Sequence, residues 1–264
     1  GIARIMKVIR TICYFTRDPG EKTTERLAQL AGRLEERGFA VQTRRVCTGG
    51  LSIEEVAQRL SSARFGVGPL SLAAASEQIG HLCRAHSAYF HVDCTHDDVG
   101  TDHVRLLQRI INSCAGKTFN IAFSFRVPAS SPYFPCARYE REGFSIGMQP
   151  TNLAVGVSTL EEWLERMRES WSEIQATFEA ETDFLGIDSS VAPSLGEGCS
   201  LVGALRNAGI DFEKAITGDT FLRITEFVRT QNPNPVGLCG LMLPCLEDDG
   251  LAEMYERGAF SLER

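Results

Sequence analysis

The stretch Phe184-Leu185-Gly186-Ile187-Asp188-Ser189-Ser190-Val191-Ala192-Pro193 is the starting point, because a short apolar run gives way to a polar cluster and then to a proline. The apolar run predicts a buried strand, and the polar cluster predicts the loop that follows it. In α/β proteins, ligand-binding groups collect at the carboxyl ends of strands. We therefore expect a functional site at Asp188 to Ser190, with Glu197 close by. An ordinary turn is the alternative, because Asp, Ser and Pro are common turn residues.

Apolar strand-like runs alternate with amphipathic helical segments along the rest of the chain. Lys7 to Phe15 predicts the first strand, and Asp18-Pro19-Gly20-Glu21 is typical of a helix start. Repeated strand-helix units imply a mostly parallel sheet with right-handed crossovers. No shift in composition divides the chain, so we expect one α/β domain over residues 1–264. Residues 1–5 are interpreted as a leader or a cloning remnant, because Met6 is the more natural start.

The clearest strand is predicted at Thr118 to Arg126, where large apolar side chains alternate with small or polar ones. The apolar side suits a cover of helices, and the polar side suits an interior. This alternation favours a large α/β barrel with a polar lumen over an open sheet buried on both faces. A long loop with four prolines is expected next, over much of residues 127–152. Its end is followed by a long helix with Trp163 and Trp171 in its apolar stripe.

Composition and charge limit the possible partners and compartments. The 264 residues carry a net charge of -7, which argues against a nucleic-acid surface because phosphate binding needs clustered Lys and Arg. Neither a membrane-spanning apolar run nor a signal-peptide pattern is found in the sequence. The nine cysteines are scattered and form no CxxC pair. We therefore expect free thiols in a reducing compartment, which indicates a cytoplasmic protein.

The segment from His91 to His103 is rich in possible metal ligands, with three histidines, several aspartates and a cysteine. Its spacing matches no established zinc motif. The acids near its end also suit the start of a helix, where they stabilise the helix dipole. We therefore predict no metal site. The sequence contains no phosphate loop, dinucleotide fingerprint or nucleophile elbow, so it identifies no cofactor.

Two further features suit ligand binding or self-association. Arg126 ends the predicted strand at the loop entrance, where a guanidinium can hold a carboxylate or phosphate by paired hydrogen bonds, although an ion pair with nearby acids is equally consistent. Tyr133 and Phe134 lie in the long loop, and such loops often cover binding sites. The stripe with Trp163 and Trp171 suits either the core or a subunit interface, and we expect a symmetric homodimer.

Several short motifs together resemble the family known as "domain of unknown function 711". They are Ile9-Arg10-Thr11-Ile12, Gly66-Val67-Gly68-Pro69, Phe134-Pro135, Phe144-Ser145-Ile146-Gly147, Gly186 to Pro193, and Gly240-Leu241-Met242-Leu243-Pro244 before Glu247-Asp248. The resemblance implies a fold similar to the large α/β barrel of pyruvate formate-lyase. It does not imply that chemistry, because neither a glycyl-radical loop nor a radical-relaying cysteine motif is found. Family members usually continue beyond the segment matching Gly258 to Arg264, so we expect the barrel to be incomplete at its C-terminus.

These observations lead to one main hypothesis and two rivals. The main hypothesis is a cytoplasmic enzyme that acts on a small anionic metabolite by acid/base chemistry in a polar barrel lumen, with no glycyl radical. Asp188 and Glu197 are the candidate acid and base. The substrate-binding residues are predicted to be Arg126, Tyr133, Phe134, Ser189 and Ser190. The rivals are a non-catalytic metabolite sensor with the same pocket and a structural oligomer.

Overall fold

An eight-stranded mixed sheet forms the centre of the protein in a computed structural model that describes residues 6–60 and 62–261. Residues 1–5, interpreted above as a leader or remnant, lie outside the described residues. The strands are β1 Lys7–Phe15, β2 Phe39–Val41, β3 Arg44–Cys47, β4 Arg64–Gly66, β5 Ala88–Asp93, β6 Ile121–Ser124, β7 Gly143–Met148 and β8 Phe184–Asp188. The helices are α1 Glu21–Glu36, α2 Ile53–Arg59, α3 Leu72–Arg84, α4 Thr101–Cys114, α5 Leu160–Phe178, α6 Leu201–Asn207, α7 Phe212–Thr217, α8 Thr220–Thr230 and α9 Asp249–Glu256, and 3-10 helices span Ala115–Asn120 and Pro150–Ala154.

The strands follow the order β6-β5-β4-β3-β1-β7-β8, and β2 pairs with the beginning of β1. The pairs are parallel, as expected, except that β1 and β7 run antiparallel. β7 lies inside the segment 127–152, much of which was predicted to be a loop and for which no strand was predicted. All six of its residues are buried, yet Gly143 and Gly147 give it a weak strand propensity, and this explains the error. Pro235 and Leu241 pair with Ile187 and Val191 only through isolated bridges.

The described strands form an open sheet, so the expected barrel is not found among them. β6 and β8 lie at opposite ends of the strand order. The stretch from Thr118 to Arg126 is a strand only over its middle four residues, and Phe119 and Phe125 are 57% and 58% exposed rather than covered by helices. Alternation of apolar and polar side chains indicates that a strand has two different faces. It does not distinguish the lumen of a barrel from a sheet face that a loop covers.

One face of the sheet packs against helices, and we call it the outer face; the opposite face is the inner face. The long helix α5 buries Trp163, Met167 and Trp171 completely within the protein's own core. Phe178 of α5 makes an edge-on contact with Phe144 of β7 at a centroid distance of 5.2 Å. The tryptophan stripe therefore belongs to the core of one chain and gives no support to the expected homodimer.

The inner face of the sheet is covered by the segment 127–142, and three aromatic rings lie over three glycines. A β-carbon at Gly66 would lie 3.3 Å from the ring of Phe134, and one at Gly147 would lie 2.7 Å from the ring of Tyr133. A β-carbon at Gly49 would likewise lie 3.2 Å from Tyr139. The absence of side chains at these positions therefore lets the covering segment approach the strands closely.

The prediction that all nine cysteines are free is wrong for Cys83 and Cys114. These residues form a disulfide that joins the end of α3 to the end of α4, with the α-carbons 5.5 Å apart. The 31 residues of separation along the chain gave no indication of this contact, which arises because the two helices pack side by side. The other seven cysteines are free. Cysteine usage therefore no longer supports a reducing compartment by itself.

Candidate functional site

Asp188 is completely buried at the end of β8, and its carboxylate accepts five hydrogen bonds. Ser190 donates two to Oδ1, from Oγ at 2.6 Å and from the backbone N–H at 3.1 Å. Ser131 Oγ donates to Oδ2 at 2.7 Å. The backbone N–H groups of Leu238 and Cys239 each donate at 3.0 Å. Asp188 therefore ties β8 both to the covering segment 127–142 and to the chain around 238, and its predicted catalytic role stays a prediction.

The two serines after Asp188 are also used within the protein. Ser189 Oγ donates to the carbonyl of Val228 and accepts from Asn232 Nδ2 at 2.9 Å. Ser190 Oγ accepts from the backbone N–H of Gly240 at 3.1 Å while it donates to Asp188. Both serines are buried. Their hydroxyl groups therefore contribute to the same internal network, and a substrate-binding role stays a prediction.

Glu197 and Arg126 lie apart from this network. Glu197 is exposed in the loop after β8. Arg126 is exposed just beyond β6, and its backbone N–H donates to Thr95 Oγ1 at 2.8 Å. Since β6 and β8 are opposite ends of the strand order, the structure does not bring Arg126 and Asp188 together.

A cavity of about 360 Å³ on the inner face carries three arginines, and we refer to it as the arginine pocket. Arg45 of β3 and Arg64 of β4 are register partners on neighbouring strands. Arg10 of β1 lies where the pairing with β7 shifts register, and such a bulge redirects a side chain. The lining residues are Arg10, Arg45, Arg64, Tyr89, Phe119, Phe134, Ser194, Leu195, Leu246 and Glu247.

Arg45 is the buried charge at the base of this pocket, with 8% of its surface exposed. Its Nε donates to Thr43 Oγ1 at 3.2 Å, and its guanidinium lies 5.0 Å from the centroid of the Phe134 ring. Within residues 6–60 and 62–261, none of the three arginines forms an ion pair with a carboxylate. Burial lowers the pKa of Arg45 to about 10, and the charges of Arg10 and Arg64 act in the same direction. The pocket therefore holds a buried cation that lacks a counter-charge.

Polar contacts hold the neighbouring side chains in position. Arg10 Nη1 donates to Ser194 Oγ at 3.1 Å and to Gln42 Oε1 at 3.4 Å. The hydroxyl of Tyr133 donates to the carbonyl of Met148 at 2.9 Å. Burial, followed by the nearby Asp188 carboxylate, raises the pKa of Tyr133 well above its usual range. Tyr133 therefore remains a neutral donor between the Asp188 network and the arginine pocket.

The segment from His91 to His103 does not assemble into a cluster of metal ligands. Over the described part of the chain, no group of three or more His, Cys, Asp or Glu residues is close enough to hold a metal. His91 is completely buried in β5, His96 is exposed, and His103 Nδ1 accepts from the Gly100 N–H at the start of α4. Neither ring nitrogen of His91 has a hydrogen-bond partner, and burial lowers its pKa to about 4.

Sequence reasoning missed the three arginines and identified only Phe134 among the lining residues of the pocket. A signal was present for Arg10, because it lies inside the apolar run of the first predicted strand, where a charged residue is unusual. A site was expected at the carboxyl ends of strands, whereas Arg45 and Arg64 lie in the first halves of their strands.

The fold and the pocket define an α/β protein with an open mixed sheet and a cavity that three arginines line. The family model described as "Uncharacterised ACR (DUF711)" matches residues 70–264, and the chain belongs to this family. This confirms the resemblance found in the sequence motifs. Arg10, Arg45 and Arg64 precede the matched residues, whereas Phe134 and Glu247 lie within them.

No curated protein and no solved structure matches the chain. Across residues 6–60 and 62–261, the helices are too short or too polar for any of them to cross a bilayer.

Proposed function

We propose that this protein binds a small anionic metabolite in the arginine pocket. The observation that carries the proposal is Arg45, a buried guanidinium that has no carboxylate partner among the described residues and is flanked by two further arginines. A buried charge without a partner costs several kilocalories per mole, on the order of a whole protein's stability margin. An anion that enters the pocket offsets this cost, because it supplies the missing negative charge.

The geometry suits carboxylate or phosphate groups. Guanidinium groups present several N–H donors in a planar fork, and they bind both kinds of oxyanion through paired hydrogen bonds. Arg10, Arg45 and Arg64 come from three different strands, so they reach a central anion from different sides. The volume of about 360 Å³ suits a metabolite rather than a macromolecule. The proposal requires no cofactor.

The arrangement favours binding over acid/base catalysis. An enzyme of the kind first expected needs two titratable groups that converge on one ligand. Asp188 already accepts five hydrogen bonds, and Glu197 is exposed elsewhere. The arginine pocket is instead an anion clamp of the kind expected for a sensor or carrier. Acid/base enzymology on the same metabolite remains the alternative.

Titration calorimetry with phosphate, succinate and citrate tests the proposal. We expect at least one of these anions to bind, and Arg45→Gln to weaken its binding by about tenfold or more because a charge-assisted hydrogen bond is lost. Arg126→Gln is the matched control, since it removes an exposed arginine outside the pocket. The proposal fails if no anion binds, or if the two variants bind equally well.

Two predictions about the intact protein accompany this proposal. A cytoplasmic location is the first, and fractionation of cells that express the protein tests it. The second is a symmetric homodimer, which light scattering tests directly. Both predictions are tested independently of anion binding.

A further inference from the structure

Three exposed apolar side chains surround the mouth of the arginine pocket. Phe119, Leu195 and Leu246 are 57%, 60% and 80% exposed, and all three line the pocket. They come from separate segments, namely the 3-10 helix before β6, the loop after β8 and the loop before α9. Exposed large apolar residues are ordinary when scattered singly, but three around one cavity indicate a surface for an apolar group.

The pocket therefore changes in character from its base to its mouth. Arg45 is buried at the base against the ring of Phe134. The ring of Tyr89 lies beside Phe134 at a centroid distance of 5.1 Å and continues the aromatic wall. Beyond these rings, Phe119 and Leu246 present apolar surface to water. An anionic group at the base and an apolar body at the mouth match this gradient.

The apolar mouth is held in place on the side of Phe119. Lys117, in the same 3-10 helix, donates from Nζ to the carbonyls of Ala85 and His86 at 2.8 and 2.7 Å. The disulfide at Cys114 anchors the residue that precedes this helix. A wall that is already ordered loses little entropy when a ligand docks against it.

Glu247 adds a charge requirement at the mouth. Its exposed side chain lines the pocket, and within the described residues it forms no ion pair with the three arginines. A ligand with a second anionic group at its far end would bring that group towards the Glu247 carboxylate. Like charges at short range disfavour binding. The mouth therefore selects against anions with a charge at both ends.

We propose that the ligand is an amphipathic anion with one carboxylate or phosphate head and an uncharged apolar body. The head binds the three arginines, and the body packs against Phe119, Leu195 and Leu246. This inference rests on the proposed anion-binding function and adds the class of ligand. A fully polar metabolite would leave the apolar mouth in water, whereas an apolar body removes that surface from water.

Matched probes separate the head from the body. Calorimetry compares phosphate with phenyl phosphate, acetate with benzoate and hexanoate, and benzoate with terephthalate. We expect phenyl phosphate to bind about tenfold tighter than phosphate or better, because burial of an apolar ring is favourable. We expect terephthalate to bind more weakly than benzoate in the wild type, and Glu247→Gln to remove this difference. The gains in affinity of benzoate and of hexanoate over acetate distinguish an aromatic body from an alkyl one.

Variants at the mouth test the role of the apolar residues. Phe119→Ser and Leu246→Ser, alone and together, should bring the ratio of phenyl phosphate to phosphate affinity close to one. Leu222→Ser on α8 is the matched control, because Leu222 is exposed outside the pocket. All three positions are exposed, so each variant is expected to fold.

The outcomes distinguish this inference from the proposed function. If phosphate binds and phenyl phosphate binds no tighter, the amphipathic ligand is rejected and the anion site stands. If neither binds, the proposed function fails and the inference fails with it. If the mouth variants leave the phenyl preference intact but change the mass measured by light scattering, the apolar residues form a contact between two copies and the inference is rejected.

Discussion

The guanidinium of Arg45 lies 5.0 Å from the ring centroid of Phe134, so the buried charge faces an aromatic ring rather than a carboxylate. A cation–π contact of this kind offsets only part of the cost of burying a charge. The lowered pKa of Arg45 expresses the remaining cost. The contact also links the two parts of the site, because Arg45 comes from the sheet and Phe134 from the covering segment.

Replacement of Arg45 by Met should stabilise the free protein while it abolishes anion binding. The pKa of Arg45 falls from 12.5 to about 10 in the folded state, so the charged form is disfavoured by folding throughout the range below pH 10. Removal of that charge should raise the free energy of unfolding by about 2 kcal/mol at neutral pH, after allowance for lost contacts. Urea denaturation measures this change, with Arg126→Met as the control. A clear loss of stability in Arg45→Met would show that Arg45 has a counter-charge in the free protein.

Asp188 and Glu197 should respond very differently to loss of charge. In Asp188→Asn, an amide nitrogen replaces an oxygen that accepts hydrogen bonds, and buried donors are left unpaired. We expect the free energy of unfolding to fall by about 3 kcal/mol. Glu197→Gln changes an exposed side chain and should leave stability unaltered. Equal stabilities of the two variants in chemical denaturation would refute the internal role assigned to Asp188.

His91 should make the protein sensitive to mild acid. Burial lowers its pKa to about 4 from 6.5, so between these pH values the unfolded chain binds a proton that the folded protein does not. Stability from this residue is complete above pH 6.5 and falls as the pH drops towards 4, by about 3 kcal/mol in total. Denaturation at pH 7 and pH 4.5 measures the effect. His91→Leu should remove most of this dependence, whereas His86→Leu, at an exposed position, should retain it; an unchanged dependence in His91→Leu would contradict the assignment.

Reduction of the disulfide between Cys83 and Cys114 should destabilise the protein. A cross-link across 31 residues restricts the unfolded chain, and its loss costs about 3 kcal/mol in the chain-entropy model. Thermal denaturation with and without a phosphine reductant measures this loss, and the double variant Cys83→Ser with Cys114→Ser should behave like the reduced protein. Alkylation under denaturing, non-reducing conditions should label seven of the nine cysteines. Labelling of all nine would show that the disulfide does not form.

Local patterns in the sequence predicted much of the secondary structure. They did not predict that the described strands form an open sheet. Helix α5 is long and carries Trp163 and Trp171 in its buried stripe, as predicted, and β8 ends at Asp188 as expected. β7 was missed because glycines occupy alternate positions in a strand that packs beneath aromatic rings. Such a strand depends on tertiary contacts, which a window of sequence does not contain.

The site was predicted less well than the fold, because it depends on strand pairing. Arg45 and Arg64 are separated along the chain by a helix and become neighbours only through the register of β3 with β4. Asp188 was found because it ends a strand. Two of its five hydrogen bonds come from nearby Ser190, and the other three come from two distant segments, at Ser131 and at Leu238 with Cys239. Phe134 was identified from loop composition alone, and it is the predicted residue that lines the pocket. Residue type indicated polarity, whereas pairing determined which polar groups meet.

The three rings of the covering segment over Gly49, Gly66 and Gly147 have a mechanical consequence. Each ring fits a depression that only a missing side chain provides. The covering segment is therefore held in register at three points at once. A slide by one residue would drive the rings of Tyr133 and Phe134 against side chains, because the neighbours of Gly147 and Gly66 along their strands are not glycines. A sliding motion of the cover is therefore disfavoured, and lifting is the easier motion. If the proposed anion binds, we expect two routes of exchange with different kinetics. One is fast passage through the mouth beside Phe119, and the other is slow passage when the rings leave their depressions.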